Sequence, residues 1–178
     1  MSTDSDDRSE HRRRIWKNEA GPFFEEVTRS FESATALLTH PDPRARLVAM
    51  LLIKDHWRPV PYLGDIERGH TSDFDPVYKK LAFEDDSPKV RGAAMLHVVM
   101  WFSQTHDLDL SRKLAGVLRD VTQPPEIRFV AYAGLLAVND LESELWRSPR
   151  KSCLDWTPED VDWGLVDRCL GNRQNIGP

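Results

Sequence analysis

Apolar residues recur every three or four positions along most of this chain, and that spacing places them on one face of an α-helix. Between residues 23 and 39 they fall on Phe23, Val27, Phe31, Ala34 and Leu38. No segment shows the strict alternation of apolar and polar residues that is typical of a half-buried strand. The pattern therefore predicts an all-α fold whose first long helix covers residues 23–39.

Proline marks the start of three further helices. Pro43, Pro88 and Pro125 each follow a short polar turn, and proline suits the first position of a helix because its missing N–H is not needed there. We expect these helices to cover residues 43–57, 88–102 and 125–139.

Shorter helices are predicted between and after these segments. Asp75 and Pro76 precede a helix over residues 77–83, and Asp107 or Ser111 caps the helix before Pro125. Thr157, followed by a proline and two acidic residues, is typical of a helix start, so a final helix is predicted over residues 157–170. The segment between residues 141 and 156 is interpreted as a polar connector.

The three proline-initiated segments resemble one another. Aligned without gaps, they place arginine at Arg46, Arg91 and Arg128, which are 45 and then 37 residues apart. Periods of this length are typical of stacked helical repeats, in which each two-helix unit buries its apolar face against a neighbour. We expect the arginines to bond carbonyls of the turns or acids of adjacent units, and a row of arginines that reads a polyanion is the alternative.

The middle copy, EDDSPKVRGAAMLHV at residues 84–98, carries an aspartate, a Val-Arg pair and an Ala-Ala pair. In these residues the chain resembles HEAT repeats, specifically the short bacterial HEAT-like kind, and the resemblance covers about residues 23–139. It implies a short right-handed α-solenoid of about three stacked helical hairpins, with residues 157–170 as a C-terminal capping helix. It also implies that the second helix of each hairpin lines an inner surface.

The inner positions implied by this resemblance are apolar, although in such stacks they are usually polar. Because exposed apolar area of this kind is unfavourable in water and often marks an interaction site, we expect it to be covered. Covering by the chain itself (residues 58–74, the helix near Ile15 and Trp16, or residues 146–163) and covering by a partner are both open. The predicted partner-binding residues are Leu47, Met50, Leu51, Lys54, Arg58, Met95, Leu96, Val99, Phe129 and Tyr132.

Composition sets the remaining bounds. The 178 residues are 40% apolar, enough for one HEAT-like domain over residues 15–170, with an N-terminal arm at 1–14 and a flexible tail at 171–178. A net charge of −5 argues against a dedicated nucleic-acid binder. The absence of a signal peptide and of any long apolar run predicts a cytoplasmic protein that does not enter a membrane.

The sequence contains no pattern that indicates catalysis. Its histidines and acids lack metal-site spacing, and Cys153 and Cys169 form neither a metal site nor a disulfide framework. We therefore predict no catalytic residue, metal or cofactor, and a buried core position for His97. The main hypothesis is a protein-binding adaptor or scaffold that recognises another protein or peptide. The alternatives are a homo-oligomeric structural subunit and a nucleic-acid-binding or DNA-glycosylase-like HEAT protein. For the latter the relevant residues are Arg44, Arg46, Arg91 and Arg128, together with Trp57, Trp101, Trp146 and Asp55.

Overall fold

A computed structural model describes residues 21, 23–53, 75–147 and 156–171. The chain divides into two compact units, Met1–Asp65 and Ile66–Pro178. Throughout the described ranges every regular element is helical, which confirms the predicted all-α class. Two of the predicted partner-binding residues, Lys54 and Arg58, lie outside the described residues, as do the arm at 1–14, residues 58–74 and the tail beyond residue 171.

The first unit contains three helices, α1 (Phe23–Arg29), α2 (Phe31–Leu37) and α3 (Pro43–Leu52). Each of the three packs against the other two. Asp42 caps α3 by accepting a hydrogen bond from the backbone N–H of Arg44 at 2.8 Å, and Pro43 takes the first helical position as predicted. The buried core of this unit consists of Val27, Ala34, Leu37, Leu38, Ala45, Val48, Ala49, Met50 and Ile53.

The single helix predicted over residues 23–39 is wrong, because Ser30 divides it. Ser30 has an extended backbone (φ −155°, ψ 161°), and its Oγ accepts a hydrogen bond from the N–H of Ser33 at 3.1 Å. A serine side chain in this position replaces the carbonyl that the first turn of α2 lacks. The continuous apolar stripe from Phe23 to Leu38 therefore belongs to two short helices.

The second unit begins with two helical hairpins. Helix α4 (Asp75–Glu84) packs against α5 (Pro88–Trp101), and α6 (Leu108–Arg119) packs against α7 (Pro125–Val138). Asp107, one of the two predicted caps, accepts a hydrogen bond from the N–H of Leu110 at 2.9 Å. The other candidate, Ser111, is buried and its Oγ accepts from Asn139 at 2.9 Å.

Helices α5 and α7 join the two hairpins and run parallel to each other. A Cβ built on Gly92 would lie 2.8 Å from Ile127 Cδ1, and one built on Gly134 would lie 2.4 Å from Val99 Cγ2. Each of these pairs is 35 positions apart in the sequence, so the contact register is constant along the two helices. The absence of a side chain at Gly92 and Gly134 is what allows the helices to approach so closely.

The C-terminal part differs from its prediction. Residues 142–147, which were interpreted as connector, form α8 (Glu142–Arg147). The helix predicted over 157–170 is instead a single 3₁₀ turn, Pro158–Asp160, followed by α9 (Trp163–Cys169). The capping box between Thr157 and Asp160 closes only that turn, Val161 is extended, and Asp162 caps α9. Helix α9 packs on α6 and α7.

Two of the aligned arginines hold the turn that precedes their own helix. Arg46 Nη1 donates to the carbonyl of His40 at 2.8 Å, and Arg91 Nη1 donates to that of Asp85 at 2.7 Å. Arg91 Nη2 also donates to Gln123 Oε1 at 2.8 Å, which links the two hairpins of the second unit. These contacts confirm the prediction that the arginines bond turn carbonyls.

The third arginine, Arg128, has a different acceptor. Its Nε donates to the carbonyl of Leu118, near the end of α6, at 2.8 Å, and the side chain is buried. All three guanidinium groups are thus used within the unit to which they belong.

Candidate functional site

Helix α5 carries an exposed apolar stripe although most of its surface is buried. Leu96 is 53% exposed and Met100 is 39% exposed, and the half-buried Ala93 and the exposed Lys89 continue the stripe toward the start of the helix. These four residues are three or four positions apart, so they share one helical face. The residues on the opposite side of α5 are buried: Val90, Ala94, Met95, His97 and Val98.

Helix α7 carries a second stripe of smaller residues. Val130 and Ala133 are half-buried, Ala137 is 9% exposed, and Glu126 is exposed at the start of the helix. The middle of this stripe consists of the small or medium-sized side chains of Val130 and Ala133, and Ala137 at its end is buried. The stripe is therefore a candidate for contact with larger residues of another molecule.

The two stripes lie on the same side of the α5–α7 pair. At 100° per residue, Leu96 and Ala93 are rotated by about 50° and 110° from the line of contact that passes through Gly92 and Val99. Val130 and Ala133 are rotated by about 50° and 110° in the opposite sense from the contact line on α7. Because two parallel helices in contact face each other, opposite rotations bring both stripes to one surface. We call this surface, made of Lys89, Ala93, Leu96 and Met100 with Glu126, Val130, Ala133 and Ala137, the α5–α7 face.

The C-terminal segment borders this face on the side of α7 turned away from α5. Trp156 is buried, and its ring packs on Phe129 with the centroids 5.7 Å apart. The Tyr132 hydroxyl accepts a hydrogen bond from the N–H of Asp162 at 3.2 Å. Part of the predicted inner surface is therefore covered by the chain itself, within the range 146–163 that was one of the predicted candidates. Leu96 is left exposed.

The structure describes eight of the ten predicted partner-binding residues, and these eight differ in burial. Four of them are buried within their own units and do not reach the surface: Met50, Met95, Val99 and Tyr132. Leu47, Leu51 and Phe129 are half-buried, and only Leu96 is exposed. Leu47 and Leu51 lie on α3 in the first unit, whereas Leu96 and Phe129 lie in the second.

Sequence reasoning missed Met100 on α5 and Val130 on α7 as contact candidates. Met100 follows Leu96 by four residues, and that spacing was the signal available in the sequence. The inner positions implied by the HEAT resemblance come one and five residues after each shared arginine and include Leu96 and Ala133, whereas Met100 lies nine residues after Arg91. Val130 is an ordinary apolar residue in a helix that is apolar almost throughout, so nothing in the local sequence distinguishes it.

His97 has the core position that was predicted for it. It is 5% exposed, and its ring lies 5.5 Å from that of Tyr78 and 6.1 Å from that of Trp101, centroid to centroid. Tyr78 and Trp101 also contact each other, with centroids 5.1 Å apart. The three rings form a packed aromatic cluster between α4 and α5.

The shifted pKa values in the second unit lie outside the α5–α7 face. Burial raises the pKa of the Cys169 thiol to about 11, so this thiol is neutral and a poor nucleophile at ordinary pH. Burial also raises the pKa of Tyr132. Hydrogen bonds from Thr122 and Gln123 lower the pKa of Asp120 to about 2. These shifts have structural causes and none indicates an acid–base pair.

Within the described ranges, no group of three or more His, Cys, Asp or Glu side chains could hold a metal ion. Of the helices in those same ranges, none combines the length and the apolar character needed to span a bilayer.

No family model matches the chain, and neither the curated proteins nor the solved structures contain a match.

Proposed function

We propose that this chain is a non-enzymatic protein-binding module, an adaptor or scaffold, whose contact surface is the α5–α7 face. The observation that supports the proposal is the exposure of Leu96 and Met100 on a helix whose opposite side is buried in the core. Complete burial of a leucine or methionine side chain contributes about 1.5–3 kcal/mol. Covering two side chains that are roughly half exposed therefore contributes about 2 kcal/mol to association.

The HEAT-like arrangement is part of the same proposal. The two hairpins of the second unit, the parallel contact of α5 with α7 and the hydrogen bond from Arg91 to Gln123 support a stacked arrangement. In such a stack the second helices present one continuous surface. The α5–α7 face is then the part of that surface that the C-terminal segment leaves open.

The nucleic-acid alternative is less well supported. Its recognition elements were Arg44, Arg46, Arg91 and Arg128. Arg44 forms an ion pair with Asp42 at 2.8 Å, and each of the other three donates to a backbone carbonyl of its own unit. Guanidinium groups held in this way are not arranged to contact phosphates. The net charge of −5 also opposes approach to a polyanion.

Site-specific photo-cross-linking tests the proposal. A benzoylphenylalanine in place of Leu96 should form a protein adduct in the source cell, because Leu96 lies at the centre of the face. The same probe in place of Val121, which is 80% exposed in the α6–α7 turn, is the matched control. The adduct at position 96 should disappear when Met100→Asp is added.

Equal adducts at positions 96 and 121 would mean that the face has no special affinity for protein. No adduct at position 96 would contradict the proposal outright. Far-UV circular dichroism of each variant establishes that the helices are intact.

A further inference from the structure

The α5–α7 face has a pattern that suits a second copy of itself. Its large residues, Leu96 and Met100, are both on α5, and its small residues, Ala133 and Ala137, are both on α7. Its charged residues are also divided, with Lys89 on α5 and Glu126 on α7. A surface with complementary halves can pair with an identical surface across a twofold axis.

The axial positions of these residues agree with such pairing. With Gly92 and Ile127 taken as one level and a rise of 1.5 Å per residue, Leu96 and Met100 lie about 6 and 12 Å along α5. On the same scale Val130, Ala133 and Ala137 lie about 4.5, 9 and 15 Å along α7. The large residues of α5 are thus level with the gaps between the small residues of α7.

A twofold axis parallel to the helices preserves these levels and places α5 of one copy over α7 of the other. Leu96 then enters the gap between Val130 and Ala133, and Met100 packs on Ala133, on the side toward the buried Ala137. Each contact occurs twice, as symmetry requires. The other possible twofold, perpendicular to the helices, would oppose large residues to large and small to small.

The charges favour the same arrangement. Along the helix axis, Lys89 and Glu126 are separated by about one helical turn or less. In the paired arrangement each lysine therefore lies near the glutamate of the other copy. Both side chains are exposed, and neither makes an ion pair or a side-chain hydrogen bond with another described residue. The pairing therefore adds two opposite-charge contacts without breaking any contact within the chain.

On the basis of the proposed function, we infer that the partner of the α5–α7 face is a second copy of this chain. The two copies pair about a twofold axis parallel to α5 and α7, with Leu96 and Met100 of each inserted into the α7 stripe of the other. Each helix has 14 residues, a length of about 20 Å. A face of that size gives a weak dimer whose population depends on protein concentration.

Charge exchange on the full-length chain tests this inference. Lys89→Glu alone places like charges at both contacts, and so does Glu126→Lys alone. Each should raise the dimer dissociation constant about tenfold, measured by sedimentation velocity at low salt over micromolar to millimolar protein. An equimolar mixture of the two single variants should recover a heterodimer, because its two contacts again pair opposite charges.

Leu96→Asp should abolish the dimer, whereas Val121→Asp should not change it. A dimer that is unaffected by Leu96→Asp, or two charge variants that do not recover on mixing, would overturn this pairing. A wild-type chain that is monomeric at every concentration would also overturn it. If the wild-type chain is monomeric but a different protein is cross-linked to position 96, the proposed protein-binding function stands and only the dimer is wrong. If no adduct forms at position 96, the proposed function and the dimer are both wrong.

Discussion

The close approach of α5 and α7 allows a quantitative test at Gly134. A methyl group at this position would lie 2.4 Å from Val99 Cγ2 and 3.4 Å from Val99 Cγ1. Valine has one strongly preferred rotamer in a helix, so it cannot turn away without strain. Gly134→Ala therefore requires the two helices to separate or Val99 to leave its rotamer.

Two opposing contributions determine the size of the effect. Replacing glycine by alanine in a helix interior stabilises it by about 1 kcal/mol. Inserting a methyl group into a closely packed core typically costs about 1–3 kcal/mol. Because the 2.4 Å separation is with a branched side chain rather than with the end of a flexible one, we expect the clash to dominate. With a clash in the upper part of that range, about 2–3 kcal/mol, the net loss in the free energy of unfolding should be about 1–2 kcal/mol.

Gly116 is the matched control within the same chain. It is exposed on α6, and a Cβ there would have no neighbour within 4 Å. Gly116→Ala should therefore stabilise the protein by about 0.5–1 kcal/mol. Gly92→Ala should fall between the two, because its Cβ would meet only the Cδ1 atom of Ile127, which can rotate.

Urea denaturation followed by far-UV circular dichroism measures all three variants. Adding Val99→Ala to Gly134→Ala should cost less than the sum of the two single changes, because it removes the atoms that clash. If Gly134→Ala stabilised the chain as much as Gly116→Ala, the parallel close contact of α5 and α7 would be wrong.

Two further predictions concern ionisable groups in the second unit. Hydrogen bonds from Thr122 and Gln123 lower the pKa of Asp120 from 3.8 to about 2, so its contribution to stability is complete above about pH 4 and is lost as the pH falls toward 2. The stability difference between wild type and Asp120→Asn should be constant above pH 5 and shrink on acidification, and a difference independent of pH would contradict this. Burial raises the pKa of the Cys169 thiol to about 11, so in a Cys153→Ser background a disulfide reagent at pH 8 should react slowly with the folded protein and rapidly in urea. Equal rates in both conditions would show that the thiol is exposed.

Helix starts were the most predictable part of the fold, because they depend on local backbone chemistry. Pro43, Pro88 and Pro125 each occupy the first turn of a helix, as their fixed φ and missing N–H lead one to expect. The break at Ser30 was missed because the apolar spacing continues across it. The two helices share one stripe, and they are separated by the extended backbone of Ser30, whose side chain caps the second helix by accepting from the Ser33 N–H.

The candidate surface was less predictable than the fold. The alignment of the repeats selected Leu96, which is exposed, but it also selected Met95 and Val99, which are buried. Helix α5 is apolar on nearly every side after Arg91, so its sequence contains little contrast between core and surface. The side of α5 that stays exposed is determined by its contact with α7, which Gly92 on α5 and Gly134 on α7 make possible. This contact is a tertiary feature that the local sequence pattern does not encode. The partner-binding role of these residues stays a prediction.

Methionine oxidation tests the exposed α5–α7 face most directly, because the chain supplies its own controls. Met100 is 39% exposed, whereas Met50 and Met95 are fully buried. In dilute purified protein, brief hydroxyl-radical labelling read by mass spectrometry should oxidise Met100 and spare the other two. In the source cell Met100 should also be protected from oxidation, like Met50 and Met95, because a protein covers the α5–α7 face. Oxidation of Met100 to the same extent in both conditions would contradict the proposal that this face is an interaction surface.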